Sequence, residues 1–466
     1  MRMTLDRGSL VLRLHATSVL ACIAALTGCG NSNLYQYNAA QSVVVADFNG
    51  SGYPGIAVAE AQINQLRPAE QPGYVAVVLQ NTSTPGSYQP SLHFATQGNP
   101  SSIAVGAFTP GSVDLAVTNV NDNSVSVLLQ SAPNTANFKP AMNIATGTPP
   151  SGVNLLPEDV AICDVNADGH PDMVIAYQLQ KETDITGTDN ITPIGGGVNV
   201  ILQNAASPGT FLAAASIGTT PFPSGYMYPN ISYGVTCGNL SGDSTAPPDI
   251  VMTSFSGYDT EDYFGVLYNE GTVSIFFHDP SSPGSFLPRV DLSVPGAIGK
   301  VVIADVNGDG LPDIIVADEA AGADGNGSAG AVVLLQNKPA TPGAQPTFAA
   351  PVFYATYSAT AIAVGDLTGN GLPDIVVASS QPSVSEGGSG SVNVILNTPS
   401  TPGVFSTTPT TYGGLGSPVG VAIGNLAGKA GSGLQDLALA DSTGAAVMLN
   451  QSSSPGTFAA ETLVGG

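Results

Sequence analysis

The stretch Val301-Val-Ile-Ala-Asp-Val-Asn-Gly-Asp-Gly-Leu-Pro-Asp-Ile-Ile-Val-Ala317 limits the possible folds more than any other part of the chain. Two short apolar runs of mostly Val, Ile and Ala flank a loop, and runs of that length and composition read as buried strands rather than helix. Within the loop, Asp305, Asn307, Asp309 and Asp313 place oxygen side chains at positions one, three, five and nine. Alternate residues of a tight loop converge, and a hard cation such as calcium takes six to eight oxygens at roughly 2.3–2.6 Å. Gly310 permits the sharp turn at position six, and Pro312 fixes φ just before the last carboxylate. Without a cation the three carboxylates repel one another. The alternative is a metal-free hairpin built on Asx turns.

The same frame recurs at Ala46-Asp-Phe-Asn-Gly-Ser-Gly-Tyr-Pro-Gly55, Cys163-Asp-Val-Asn-Ala-Asp-Gly-His-Pro-Asp172 and Gly365-Asp-Leu-Thr-Gly-Asn-Gly-Leu-Pro-Asp374. Weaker copies begin at Ala107, Asn239 and Asn425. The first loop positions are therefore 47, 107, 164, 239, 305, 366 and 425, spaced by 60, 57, 75, 66, 61 and 59 residues. Each copy continues in the same way. A strand leaves the loop, a variable segment follows, and a third strand ends in a motif such as Val77-Val-Leu-Gln-Asn81 or Val200-Ile-Leu-Gln-Asn204. The fourth copy has Ser274-Ile-Phe-Phe-His278 there. A Pro-Gly turn comes next in most copies, with an aromatic close behind it: Tyr88, Phe211, Phe286, Phe348, Phe405 and Phe458, and Phe138 after Asn137 in the second. A fourth strand leads to the next copy.

Four strands per repeat, seven times, describe an all-β, seven-bladed β-propeller of four-stranded blades. Sheets apolar on both faces bury them against their neighbours in a closed ring; a straight solenoid would leave its end sheets uncapped. The recurring aromatic reads as packing between blades. The register starts on a first strand and ends on a fourth, Phe458 to Val464, and Leu34 to Tyr37 is a candidate edge strand locking the ring.

Composition fits this reading. Gly and Pro make up 92 of 466 residues, which suits many short strands joined by turns, and 43% hydrophobic residues are enough for a real core. A formal charge of −24 with only ten Lys and Arg argues against nucleic-acid binding, which needs a basic surface. The chain reads as a monomer.

Residues 1–28 read as a signal segment: Arg2, Arg7 and Arg13 precede a short apolar core, Ser18 to Leu26, too short to span a bilayer. Its end, Leu26-Thr-Gly-Cys29, resembles a bacterial lipoprotein signal, which implies lipidation of Cys29, a tether over 29–41 and a propeller over 42–466. The resemblance also implies a lipid anchor at the bacterial cell envelope, with Gly30 favouring the outer membrane. The lipid is then the only contact with the membrane. Without residues 1–28 the chain keeps seven basic and 33 acidic residues, a net charge of −26. Two cysteines remain besides Cys22 and Cys29. Cys163 and Cys237 end first strands in neighbouring repeats, and two buried thiols are favoured over a disulfide because neighbouring repeats can hold the pair too far apart.

The repeat resembles the FG-GAP/VCBS family, whose blades carry calcium loops of the type Asp-x-Asn-x-Asp-Gly-x-x-Asp, and is similar to the propeller of integrin α subunits. The resemblance covers essentially all of 42–466. It implies calcium at Asp164, Asn166, Asp168, His170 and Asp172, and at Asp305, Asn307, Asp309, Leu311 and Asp313, with position seven offering its backbone carbonyl. A looser third site follows at Asp366, Thr368, Asn370, Leu372 and Asp374. A fourth is open at Asp47, Asn49 and Ser51, where Gly55 replaces the final carboxylate. The second, fourth and seventh loops have the wrong length or ligands, and no metal is expected there.

No Gly-x-Ser-x-Gly, phosphate loop, Cys-x-x-Cys or His-Glu-x-x-His occurs, and His93, His170 and His278 have no metal or triad spacing. The expectation is a binding or scaffold module rather than an enzyme. The alternative is a polysaccharide-degrading enzyme such as a lyase, although the few Lys and Arg are too scattered to neutralise an acidic polymer. Ligand-binding expectations fall on the segments between second and third strands, on the face away from the calcium loops. The two longest are Lys181 to Gly197 and Ser256 to Gly271. In the latter, Tyr258, Asp259, Asp262 and Tyr263 combine aromatic and carboxylate chemistry suited to a glycan or a protein loop.

Overall fold

A computed structural model describes residues 37–63, 73–185, 188–219, 228–241, 246–259, 267–296, 298–319, 329–338, 344–356, 359–380, 390–427, 433–441 and 444–465. The signal segment and Cys29 lie outside the described residues. Among the described residues no helix is long and apolar enough to cross a membrane.

Seven four-stranded antiparallel sheets follow one another along the chain. Their first strands are Tyr37–Ala46, Pro100–Gly106, Val153–Cys163, Tyr228–Gly238, Ile298–Ala304, Ala361–Gly365 and Gly420–Gly424. Each touches the next, and the seventh touches the first, so the ring closes around these strands. The last strand, Thr462–Leu463, pairs within its own blade. Among the described residues no strand is exchanged between first and last blades; there the ring is joined by side chains and by the Ser91 N–H donating to the Gly465 carbonyl at 3.1 Å. Tyr37 starts the first strand of blade 1, so the expected extra edge strand is instead the blade's own opening, and residues 34–36 lie outside the described residues.

Second strands such as Asp313–Asp318 are buried along their whole length, whereas fourth strands such as Leu92–Thr96 are largely exposed. Seven separate hydrophobic clusters result, one between each pair of neighbouring blades. The recurring aromatic belongs to these clusters, as expected. It packs with the residue at loop position two of the preceding blade: Phe138 with Phe48, Phe211 with Phe108, Phe286 with Val165, Phe405 with Val306, and Phe458 with Leu367. Tyr88 closes the cycle against Leu426 of blade 7 and donates to its carbonyl at 3.2 Å. Fully burying such a side chain contributes roughly 1.5–3 kcal/mol, so the ring is held by many repeated contributions of similar size.

The structure corrects the reading of two buried thiols. Cys163 and Cys237 form a disulfide, their Cα atoms 6.5 Å apart, because both first strands end beside each other at the same rim. The bond closes a loop of 74 residues and restricts the unfolded chain. Replacing both cysteines by serine is expected to lower stability by up to about 4 kcal/mol, read as a fall in the denaturant midpoint.

The two longest variable segments are not loops in their proximal parts. Residues 172–185 and 188–201 pair antiparallel out to Ile185 opposite Thr188, with one register shift between Leu179 and Gln180. Residues 249–259 and 267–276 pair likewise, with Tyr258 opposite Tyr268 and Asp259 opposite Leu267. Alternating polar residues there lowered the strand signal, but antiparallel pairing carries both hairpins beyond the first strands of their blades.

Candidate metal centres and ligand face

Four of the seven first-to-second-strand loops share one hydrogen-bond frame. In blade 5 the Asp305 carboxylate accepts the N–H groups of Gly308 (2.7 Å), Asp309 (3.2 Å) and Gly310 (2.8 Å). The Asn307 side-chain oxygen accepts the Asp309 N–H at 2.9 Å, and Asp309 accepts the Leu311 N–H at 2.8 Å. Asp164, Asn166 and Asp168 repeat this pattern onto Asp168, Gly169 and His170. Asp366 and Asn370 do so in blade 6, and Asp47, Asn49 and Ser51 in blade 1. Left-handed glycines make the turn, Gly310 at φ 84° and Gly371 at φ 85°. The frame commits the oxygens of positions one, three and five to N–H groups of the same short loop.

The ninth-position carboxylates do more than the sequence suggests. Asp313 is fully buried. One of its oxygens accepts the Val306 N–H at 3.0 Å, and the other the Gln336 N–H at 2.8 Å, so it ties loop position two to the end of the third strand. Asp172 and Asp374 do the same in blades 3 and 6. So do Asp249 and Asp436, in loops with no ligand set, and Asp114 accepts two backbone N–H groups in the same manner. Six blades therefore keep this latch whether or not their loops suit a cation. The sequence signal was present: the final Asp persists where the other ligands are lost.

The third-strand ending is also explained. The Asn397 side-chain amide donates across the blade interface to the Val306 carbonyl at 2.6 Å, Asn450 to Leu367 at 2.8 Å, and Gln130 to Phe48 at 2.8 Å. The Pro-Gly turn of one blade then lies against loop position three of the blade before. A Cβ at Gly403 would stand 2.8 Å from that of Asn307, and one at Gly284 3.1 Å from that of Asn166. Each loop is thus roofed by its neighbour.

The oxygen chemistry of these loops is that of a hard-cation donor set. Among the described residues no three His, Cys, Asp or Glu side chains gather closely enough to hold a metal, so a cation here would need a mixed oxygen donor set. In blades 3 and 5 that set would comprise the carboxylates at positions one and five, the Asn amide oxygen at three, the carbonyl at seven and lone pairs left on the position-nine carboxylate. At position three of the blade 6 loop, the buried Thr368 hydroxyl has no hydrogen-bond partner. Burial pushes the Asp172 carboxyl up to about 7 and those of Asp313 and Asp374 to about 6. The nearby loop carboxylates add to this, against the pull of the backbone N–H groups. A cation would relieve that strain.

On the opposite face, Tyr258 and Asp259 sit at the end of their hairpin strand, while Asp262 and Tyr263 lie outside the described residues.

This fold, with acidic loops on one face and long hairpins on the other, defines a seven-bladed all-β propeller. The chain carries FG-GAP repeats: residues 259–316 match the FG-GAP-like repeat and residues 358–395 the FG-GAP repeat. No curated protein matches the sequence. An α-L-arabinanase of Penicillium chrysogenum is similar in structure at 13% identity, covering 76% of this chain and 92% of that one, with a TM-score of 0.41. A rhamnogalacturonan lyase of Bacillus licheniformis (12%, 88% and 75%, TM-score 0.32) and the NanB sialidase of Streptococcus pneumoniae (9%, 88% and 66%, TM-score 0.36) are also similar. The expectation that the chain is not an enzyme is corrected by these likenesses, since all three are glycan-active enzymes. At such identities the likeness concerns the fold and assigns no reaction to this chain.

Proposed function

We infer that the chain is a calcium-stabilised, lipid-anchored propeller of the bacterial envelope that binds a glycan on the face carrying the long hairpins. The observation that carries this reading is the hairpin of residues 249–259 and 267–276, which projects past its blade as paired strands. Tyr258 and Asp259 lie in paired strand, opposite Tyr268 and Leu267, and a backbone already ordered by pairing limits the entropy lost on binding. Aromatic rings stack on sugar faces and carboxylates accept sugar hydroxyls. Calcium at three or four loops would stiffen the opposite rim, and with it the ring, through the roofing turns. The Cys163–Cys237 disulfide suits an oxidising compartment, in keeping with lipidation at Cys29. The chain acts as a monomer held to the membrane by its lipid alone, with no nucleic-acid partner.

A glycan and polysaccharide panel tests the reading, using the full chain in detergent and calcium, and scoring both retention and released fragments. Retention that falls at least tenfold in Tyr258→Ala is the expected result. Retention of no glycan, with capture of an envelope protein instead, would overturn it.

A further inference from the structure

Just past its third strand, each blade has one residue paired with the aromatic that follows its turn. In six blades this residue is an amide: Gln80, Gln130, Gln203, Gln336, Asn397 and Asn450. In blade 4 it is His278, opposite Phe286. An amide at this place serves two partners. In blade 6 the Asn397 amide nitrogen donates to the Val306 carbonyl of blade 5 at 2.6 Å, and its oxygen accepts the N–H of Gly403 in the turn at 3.1 Å. Asn450 repeats both contacts, with Leu367 of blade 6 and with Gly456. The turn of one blade is thereby clasped to the loop of the blade before. The His278 ring is instead held within blade 4. Its Nδ1 lies 2.8 Å from the Asp249 carboxylate, which also accepts the His278 N–H at 2.9 Å. Blade 4 therefore has no side-chain amide there to offer the Val165 carbonyl of blade 3.

The interface between blades 3 and 4 is also where the Cys163–Cys237 disulfide lies. Both cysteines pack against its apolar cluster, which holds Val165 and Phe276, and both are half-buried, so the bond is within reach of a reductant. Among the described residues, Ile217 and Gly218 of blade 3 and Phe286 and Leu287 of blade 4 border an open groove of about 540 Å³ at the same interface. An amide replaced by an imidazole, an unfilled groove and a covalent cross-link thus coincide.

We propose that the Cys163–Cys237 bond takes the place of the amide clasp and makes this interface a redox-sensitive seam, closed when the pair is oxidised and opening locally when a dithiol reduces it. The dithiol attacks one sulfur as its thiolate, and the other cysteine leaves as a thiolate. The second thiol of the reductant then displaces the first cysteine. The protein gains two electrons and two protons as a pair of thiols, and the dithiol becomes a disulfide. Because the apolar cluster stays in place, the change is a local opening rather than loss of the fold. Interfaces that carry the amide clasp, such as that of blades 5 and 6, keep their closure.

Native-state hydrogen exchange on the full chain in detergent, before and after dithiothreitol, tests this, with a thiol count to establish reduction. Peptides on both sides of the seam, residues 160–166 and 275–287, should exchange about tenfold faster in the reduced protein. Those of the interface between blades 5 and 6, residues 304–307 and 393–405, should keep their rates. His278→Asn supplies the amide and should return the reduced seam to within about threefold of its oxidised rate, a rescue that a merely structural disulfide would not show. Resistance of the pair to dithiothreitol in the folded protein would overturn the proposal, as would unchanged exchange at the reduced seam. So would acceleration spread evenly over all seven interfaces, or a reduced His278→Asn chain that opens as readily as the reduced parent.

Discussion

Withdrawing calcium is expected to cost this propeller about 8 kcal/mol. At a free concentration a hundredfold above Kd, each site contributes about 2.7 kcal/mol through preferential binding to the folded chain, and three loops carry the full or nearly full donor set. Denaturant unfolding in calcium and in chelator measures the difference, and a shift under about 1 kcal/mol would rule out three occupied loops. The pH dependence should change with it. In the cation-free fold, burial holds the carboxyls of Asp172, Asp313 and Asp374 above their ordinary value of 3.8, at about 7, 6 and 6. The folded state then binds protons more tightly than the unfolded chain, so stability is greatest below about pH 4 and falls as pH rises toward 7. A bound cation favours the ionised form and should flatten or invert that slope. A chelated protein that grows more stable between pH 4 and 7 would contradict the assignment.

The second large effect is expected from Asp313→Ala. The substitution removes a buried carboxylate and leaves two backbone N–H groups, those of Val306 and Gln336, without an acceptor. Each orphaned buried donor costs about 1–3 kcal/mol, so the loss should be about 3–6 kcal/mol once the cavity is included. Because a bound cation and the latch would share this residue, Asp436→Ala is the separating control. Asp436 accepts the same two kinds of N–H, from Leu426 and Asn450, in a loop with no ligand set. Equal losses in calcium and chelator for Asp436→Ala, and a larger loss in calcium for Asp313→Ala, are expected. A loss below 1 kcal/mol at Asp436 would mean that these carboxylates serve only as cation ligands.

The latch shows how motif reading can be right about a residue and incomplete about its work. The Asp at position nine repeats because the sheet needs it, and a calcium loop would use an acid already present. Local spacing also identified the aromatic after each Pro-Gly turn as interblade packing. It could not say that the aromatic meets loop position two of the previous blade, since that contact joins residues as far apart as Tyr88 and Leu426.

What the sequence determined by itself is the repeat: strand, acidic loop and aromatic recur at intervals of about 60 residues, and each is encoded within a few neighbouring positions. Short apolar runs, turn residues and loop ligands are short-range properties, so blade number, strand count and the four candidate loops were legible. The tertiary structure alone decided which distant residues meet. The Cys163–Cys237 bond, the side-chain amides reaching to the preceding blade and the Lys300–Asp159–Ser102 cluster all depend on strand ends converging around a closed ring. Their sequence separations of 74, 82, 91 and 141 residues carry no local signal.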